Sequence, residues 1–166
     1  MRRPVGAACT ADNGTSKVIR LRAGTENVPA AIGFGRAAEV ASLHDSTLRD
    51  HLEKTIQARI ADVHVNAARA PRIPNTTNIR FDGIDSDALL IALDLRGFAV
   101  SSGAACSSGA TEPSHVLLAI GLTKEQARSS IRFSLGRGNT REQVDLLVEA
   151  LVASVAHLRK LSPVYA

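Results

Sequence analysis

Ile131-Arg132-Phe133-Ser134-Leu135 alternates apolar and polar residues, and shortly after it Thr140-Arg141-Glu142-Gln143 opens a run whose apolar members are Val144, Leu147, Val148, Leu151, Val155 and Leu158. The first pattern has the two-residue period of a pleated strand, which puts Ile131, Phe133 and Leu135 on one face and Arg132 and Ser134 on the other. The second has helical spacing, with Thr140 and Gln143 as a capping box at its start and Ser162-Pro163 as its stop. A strand with one apolar face and a helix with one apolar stripe bury both most simply against each other. The stretch therefore predicts a mixed fold in which helices pack on one small sheet.

Working upstream, Thr123 and Gln126 form a second capping box for a short helix, and Pro113 to Gly121 reads as another. Phe98-Ala99-Val100 reads as a strand, preceded by a helix that Asp85 or Ser86 caps and that runs through Leu95 to a stop at Gly97. Asn78-Ile79-Arg80-Phe81 alternates as a half-buried strand, Val63 to Asn66 is short enough for an edge strand, and Pro71 and Pro74 mark the turn between them. Leu48, Leu52, Ile56 and Ile60 recur four apart as a helical stripe, to which an Asp50–Lys54 pair adds only about 0.2–0.5 kcal/mol. Val28 to about Ala41 reads as a helix rich in small residues, and residues 1–20 have no sustained period, as expected of an irregular arm. The overall expectation is α+β (α/β), helices against one sheet.

Composition narrows the function. The 166 residues are 45% hydrophobic and 22% charged, long enough for one ordinary core. A net charge of +4 arises from 20 basic and 16 acidic residues that are interspersed, and with only 3% aromatics there is little to stack on bases; nucleic acid is not the expected partner. Cys9 and Cys106 stand far apart, so neither a disulfide framework nor a zinc-ligand spacing is present. A reducing cytoplasm fits best. The start, Met1-Arg2-Arg3-Pro4-Val5-Gly6-Ala7-Ala8-Cys9, lacks the apolar stretch of an export signal, and no apolar run reaches membrane-spanning length.

Ser101-Ser102-Gly103-Ala104-Ala105-Cys106-Ser107-Ser108-Gly109 holds one thiol in a run of Ser, Gly and Ala, which has no bulk to pack and reads as a loop that presents Cys106 to solvent. It is followed by Glu112-Pro113-Ser114-His115-Val116-Leu117-Leu118-Ala119-Ile120-Gly121-Leu122 and by Ser129-Ser130-Ile131-Arg132-Phe133-Ser134-Leu135-Gly136-Arg137. Upstream lie Arg22-Ala23-Gly24-Thr25-Glu26-Asn27-Val28 and Pro74-Asn75-Thr76-Thr77-Asn78-Ile79. Taken in this order, from about Arg22 to Pro163, the segments resemble the C-terminal part of cysteine desulfurases of the NifS/IscS type, which use pyridoxal phosphate (PLP) and carry sulfur from L-cysteine as a persulfide.

That resemblance implies the small C-terminal domain of a fold-type I PLP enzyme over residues 22–166, after an arm at 1–21. It implies that Cys106 is the sulfur-accepting nucleophile, that Arg132 binds the carboxylate of substrate cysteine, and that Thr25 contacts the phosphate of PLP. Cysteine as substrate, an iron–sulfur scaffold or other sulfur acceptor as partner, and a homodimer or a complementing N-terminal half also follow. The family's cofactor lysine lies in a Ser-x-His-Lys motif, and no His-Lys pair occurs in this chain. The implied desulfurase is therefore incomplete alone, and a remnant or sulfur-relay module without turnover is the alternative.

Other candidates are weaker. Gly33-Phe34-Gly35-Arg36-Ala37-Ala38 has the form of a dinucleotide fingerprint but falls inside a helical pattern with no strand before it. His115 could pair with Cys106, yet no third group is positioned to orient it, and a His just inside a helix start is more often structural. Read without the resemblance, Arg132 would be a surface arginine on the solvent face of an edge strand.

Overall fold

A computed structural model describes residues 27–41, 46–102 and 113–161. The chain divides into two compact units, residues 1–42 and 43–166. In the first, helix α1 (Val28–Val40) begins at Asn27, whose side chain accepts from the Ala30 amide at 3.0 Å, and Pro29 lies in its first turn, where no amide is needed. The Gly33 to Ala38 pattern lies inside this helix, as its spacing requires. None of the α1 side chains is buried, and Val28, Ile32, Phe34 and Val40 are exposed.

The second unit holds the sheet. Its elements, in order, are α2 (Thr47–Arg59), β1 (Val63–Val65), β2 (Thr76–Phe81), α3 (Ser86–Asp94), β3 (Ser101–Ser102), α4 (His115–Ala119), α5 (Lys124–Arg128), β4 (Ser130–Ser134) and α6 (Arg141–Leu161). The strands run β1-β2-β4-β3, every neighbouring pair antiparallel. β2 and β3 are therefore parallel to each other, joined through α3, and β4 returns between them to fill the gap. This is a split βαβ arrangement.

One face of the sheet carries Thr77, Ile79, Phe81, Ile131 and Phe133, all at most 2% exposed. Phe81 and Phe133 meet edge to face with ring centroids 6.5 Å apart. Over them lie Leu52 and Ile56 of α2, Leu89 and Leu93 of α3, and Val144, Val148, Leu151 and Val155 of α6, with α6 packed against both other helices. Polar contacts fasten the rim of this layer: a His51–Asp145 hydrogen bond at 2.6 Å and an Arg59–Glu149 ion pair tie α2 to α6, and Arg72 grips Glu53 with both terminal nitrogens at 2.6 and 3.2 Å. Asp50 does not pair with Lys54. Its carboxylate takes the Ser46 hydroxyl at 2.7 Å and the neighbouring Arg49 guanidinium, which are closer and better aimed.

The capping boxes form as their sequences require: Thr123 with Gln126, and Thr140 with Gln143. Gly97 and Gly121 both have positive φ (84° and 98°) and close six-to-one turns, Phe98 N to Leu93 O at 3.0 Å and Leu122 N to Leu117 O at 3.1 Å. Phe98-Ala99-Val100 is not a strand, which corrects the sequence expectation. Phe98 and Val100 are half-buried with Ala99 exposed between them, so the alternation is real. The ladder nevertheless starts only at Ser101, because the chain between Gly97 and Val100 stands away from Phe133 to Leu135 and leaves a cleft of about 420 Å³ that Val144 and Leu147 help line.

Candidate functional site

The site lies on the sheet face opposite α2, α3 and α6. Register places Asn66 beside Asn78, since its amide donates to the Asn78 carbonyl at 2.8 Å and the preceding pair is Val65–Ile79. Asn78 lies opposite Arg132, and Arg132 opposite Ser101. Asn66, Asn78, Arg132 and Ser101 therefore form one row across the sheet, all at the polar phase of their strands. Along β2 and β4 the closely spaced hydrogen bonds fall on Phe81–Ser129 and Asn75–Leu135. Counting in steps of two makes Asn78–Arg132 a non-hydrogen-bonded pair, in which side chains lie closest, with Cβ atoms about 4.5–5.5 Å apart.

Arg132 occupies an interior strand, with β2 on one side and β3 on the other. This overturns the reading of it as an edge-strand surface residue. Its Nε is buried and has no hydrogen-bond partner among the described residues, although a guanidinium nitrogen removed from water without a partner is costly. No carboxylate among the described residues is paired with it, whereas nearby Arg80 is held by Asp82 at 2.6 Å, which His64 also reaches at 3.1 Å. A planar fork left open in this way suits a carboxylate ligand.

Beside Arg132 the row is ordered by hydrogen bonds. Ser130 is fully buried and donates its hydroxyl to the Gln126 carbonyl at 2.8 Å. The Asn66 amide nitrogen is 3.0 Å from the Ser130 oxygen and 2.5 Å from the Asn78 side-chain oxygen. On the helix side, the Ser102 hydroxyl donates to Asp87 at 2.9 Å, which fixes β3 to the first turn of α3.

Cys106 and Thr25 lie outside the described residues. In sequence, Cys106 follows Ser102, the last described residue of β3, by four residues. His115 is the first residue of α4 and is exposed. The cofactor's needs are not met by the described residues: Lys54, Lys124 and Lys160 are exposed on α2, α5 and α6, and none is placed to hold an aldehyde in a closed site. The open Arg132 fork fits an amino-acid carboxylate, and PLP itself does not fit what is described. Sequence reasoning singled out Arg132 and missed Asn66, Ser130 and Ser101 as its neighbours. Asn78 was visible as a polar position of the Pro74 to Ile79 segment and of the alternating Asn78 to Phe81 strand, with no role assigned.

Among the described residues no group of His, Cys, Asp and Glu is placed to hold a metal, and no helix is long and apolar enough to cross a membrane. Residues 9–147 match the aminotransferase class-V family. The chain is 48% identical over 149 residues to a cysteine desulfurase of a Nostoc species, covering 86% of this chain and 37% of that protein. It is 40% identical over 152 residues to the cysteine desulfurase IscS 1 of Archaeoglobus fulgidus, covering 87% and 40%. The structure resembles that of a NifS-like protein from Rickettsia africae at a TM-score of 0.69 and 33% identity, over 87% of this chain and 39% of that one. The chain thus spans well under half the length of the relatives it matches.

Proposed function

Given that the chain belongs to the aminotransferase class-V family, among the cysteine desulfurases of the NifS/IscS type, we propose that it serves as the small domain of such an enzyme, residues 22–166. Arg132 receives the carboxylate of L-cysteine and Cys106 takes the sulfur. In the overall conversion the Cys106 thiolate gains a second sulfur, forming an S–S bond, while the substrate Cβ–S bond breaks and Cβ takes up a proton to give L-alanine. PLP, which the family uses, would have to be held by a cofactor-bearing half and would supply the electron sink there. The observation that carries the reading is the Nε of Arg132, buried with no partner among the described residues and paired in the sheet with Ser101, five residues before Cys106 in sequence. Thr25 belongs to the proposal as a phosphate contact. So do an iron–sulfur scaffold or other sulfur-acceptor protein as recipient, and a second copy or a cofactor-bearing half as the structural partner.

The exposed lysines favour a second reading, in which the chain accepts or relays sulfur without turnover. Incubation with L-cysteine and PLP separates the two. Alanine formation by the chain alone rules out the relay, whereas alanine that appears only with a cofactor-bearing half supports the split enzyme. To test the sulfur site, the chain is loaded from an intact desulfurase and labelled sulfur is mapped by mass spectrometry. Label is expected on Cys106 and lost in Cys106→Ser; label on Cys9, or equal label in both proteins, overturns the assignment.

A further inference from the structure

We infer that Asn78 is a second carboxylate donor beside Arg132, held in its donating orientation by a hydrogen-bond relay that begins at the Gln126 carbonyl. The inference rests on the reading of Arg132 as a carboxylate ligand and adds a residue to it. A carbonyl can only accept, so the Ser130 hydroxyl must spend its proton on Gln126 O, 2.8 Å away. The Ser130 oxygen is then an acceptor toward Asn66, which fixes the Asn66 group at 3.0 Å as its NH₂. The second proton of that NH₂ meets Asn78 at 2.5 Å, so the atom of Asn78 facing it must be the oxygen. Each step leaves one polarity for the next. The amide orientation, ordinarily ambiguous, is thus determined by the network.

With its oxygen engaged, Asn78 has its NH₂ left over, and that group has no bond to any described residue. It lies on the same rung and the same face as Arg132, in the closer kind of cross-strand pair. The relay therefore does two things. It denies Arg132 the acceptor that a reversed Asn78 would offer, consistent with the buried Nε standing alone, and it adds a neutral donor to the guanidinium fork. Two kinds of donor side by side on one rung favour an anion, and the planar fork with a lateral N–H favours a carboxylate over a spherical ion.

The test uses the full 166-residue chain labelled with nitrogen-15. Sodium propionate is titrated against sodium chloride at equal ionic strength while the Arg132 Nε–H and Asn78 NH₂ signals are followed. Both signals are expected to move with propionate along one binding curve and to stay still with chloride. Asn78→Ala should raise the propionate Kd about fivefold, the scale of one ordinary net hydrogen bond. Asn78→Asp should abolish binding, because its carboxylate occupies the fork, and Ser130→Ala should weaken binding about two- to threefold by freeing the amide to turn. A role for Asn78 in folding alone would move none of these constants while the remaining amide spectrum is unchanged, and Asn78→Ser replaces the alanine variant if that variant unfolds. A Kd within twofold of the parent in Asn78→Ala, with Arg132 still responding, overturns the inference and leaves Arg132 as a carboxylate ligand. No response of Arg132 in the parent chain overturns both.

Discussion

The two faces of the sheet are built from the same strands and do opposite work. Ile79 and Phe81 alternate with Asn78 and Arg80, and Ile131 and Phe133 alternate with Arg132. On the helix side every such residue is closed off by α2, α3 and α6. On the other side the row from Asn66 to Ser101 is polar, hydrogen-bonded in one direction, and includes a guanidinium whose Nε has no partner among the described residues. A period of two allows this separation, because each side chain's face is set by its parity along the strand. The helix side carries stability, and the row carries a buried Arg132 Nε with no partner among the described residues.

The largest test of that division is a pair of truncations. Phe81→Ala removes a fully buried ring and should cost about 3–5 kcal/mol in urea unfolding, enough to unfold a marginal domain. Arg132→Met keeps the stem and removes the buried, unpartnered Nε, so it should change stability by less than about 1 kcal/mol in either direction while ending carboxylate binding. If Arg132→Met costs as much as Phe81→Ala, the polar face is structural and the comparison fails.

A smaller effect sharpens it. Asn66 is 8% exposed, and Asn66→Ala would strip Ser130 and Asn78 of their shared donor. A loss of about 1–2 kcal/mol is expected from the unsatisfied groups left behind. Polar residues on the row would then differ in kind, Asn66 holding the arrangement and Arg132 exposed to its cost. An Asn66→Ala variant as stable as the parent by thermal unfolding would mean that water replaces the relay freely. The next residue works the other way. Ala67 has φ 54°, a left-handed conformation that suits glycine, and Ala67→Gly should raise stability by about 0.5–1 kcal/mol, read as a higher urea midpoint at constant slope.

Much of this was legible in the sequence where the signal was local. The strand at Ser130 to Ser134, its two faces, both capping boxes and the stops at Gly97 and Gly121 depend on residues within one turn or one pleat of each other. Phe98 to Val100 misled because its alternation is that of a strand, while pairing depends on how close β4 comes, which no local pattern encodes. Arg132 read as an edge residue for the same reason: only the return of β4 between β2 and β3 makes its strand central. The row itself was invisible. Asn66, Asn78, Arg132 and Ser101 are unremarkable in their own segments and become neighbours only through three registers fixed by long-range pairing. Asp50 shows the limit on a smaller scale, since spacing offered Lys54 while geometry chose Ser46 and Arg49.

That carboxylate supplies the smallest test, which separates the two faces by pH. The Ser46 hydroxyl, and after it the Arg49 guanidinium, hold the Asp50 carboxyl below its ordinary value. A carboxylate depressed in the folded state contributes stability that is complete above its unfolded value, near ~3.9, and that is lost as pH falls through the folded value. Because the Asp50 side chain is 40% exposed, solvent screens the gain to a few tenths of a kcal/mol. The difference in unfolding free energy between the parent and Asp50→Asn should therefore be level between about pH 7 and 5 and close below about pH 4. The row from Asn66 to Ser101 contains no carboxylate, so the cost of Asn66→Ala should be the same at pH 7 and pH 4. Urea titrations of the three proteins at these pH values measure both. An Asn66→Ala cost that shrinks in acid as the Asp50→Asn cost does would couple the row to a carboxylate such as Asp82, which pairs with Arg80 on the same face, and the separation of stability from ligand binding between the two faces would have to be redrawn.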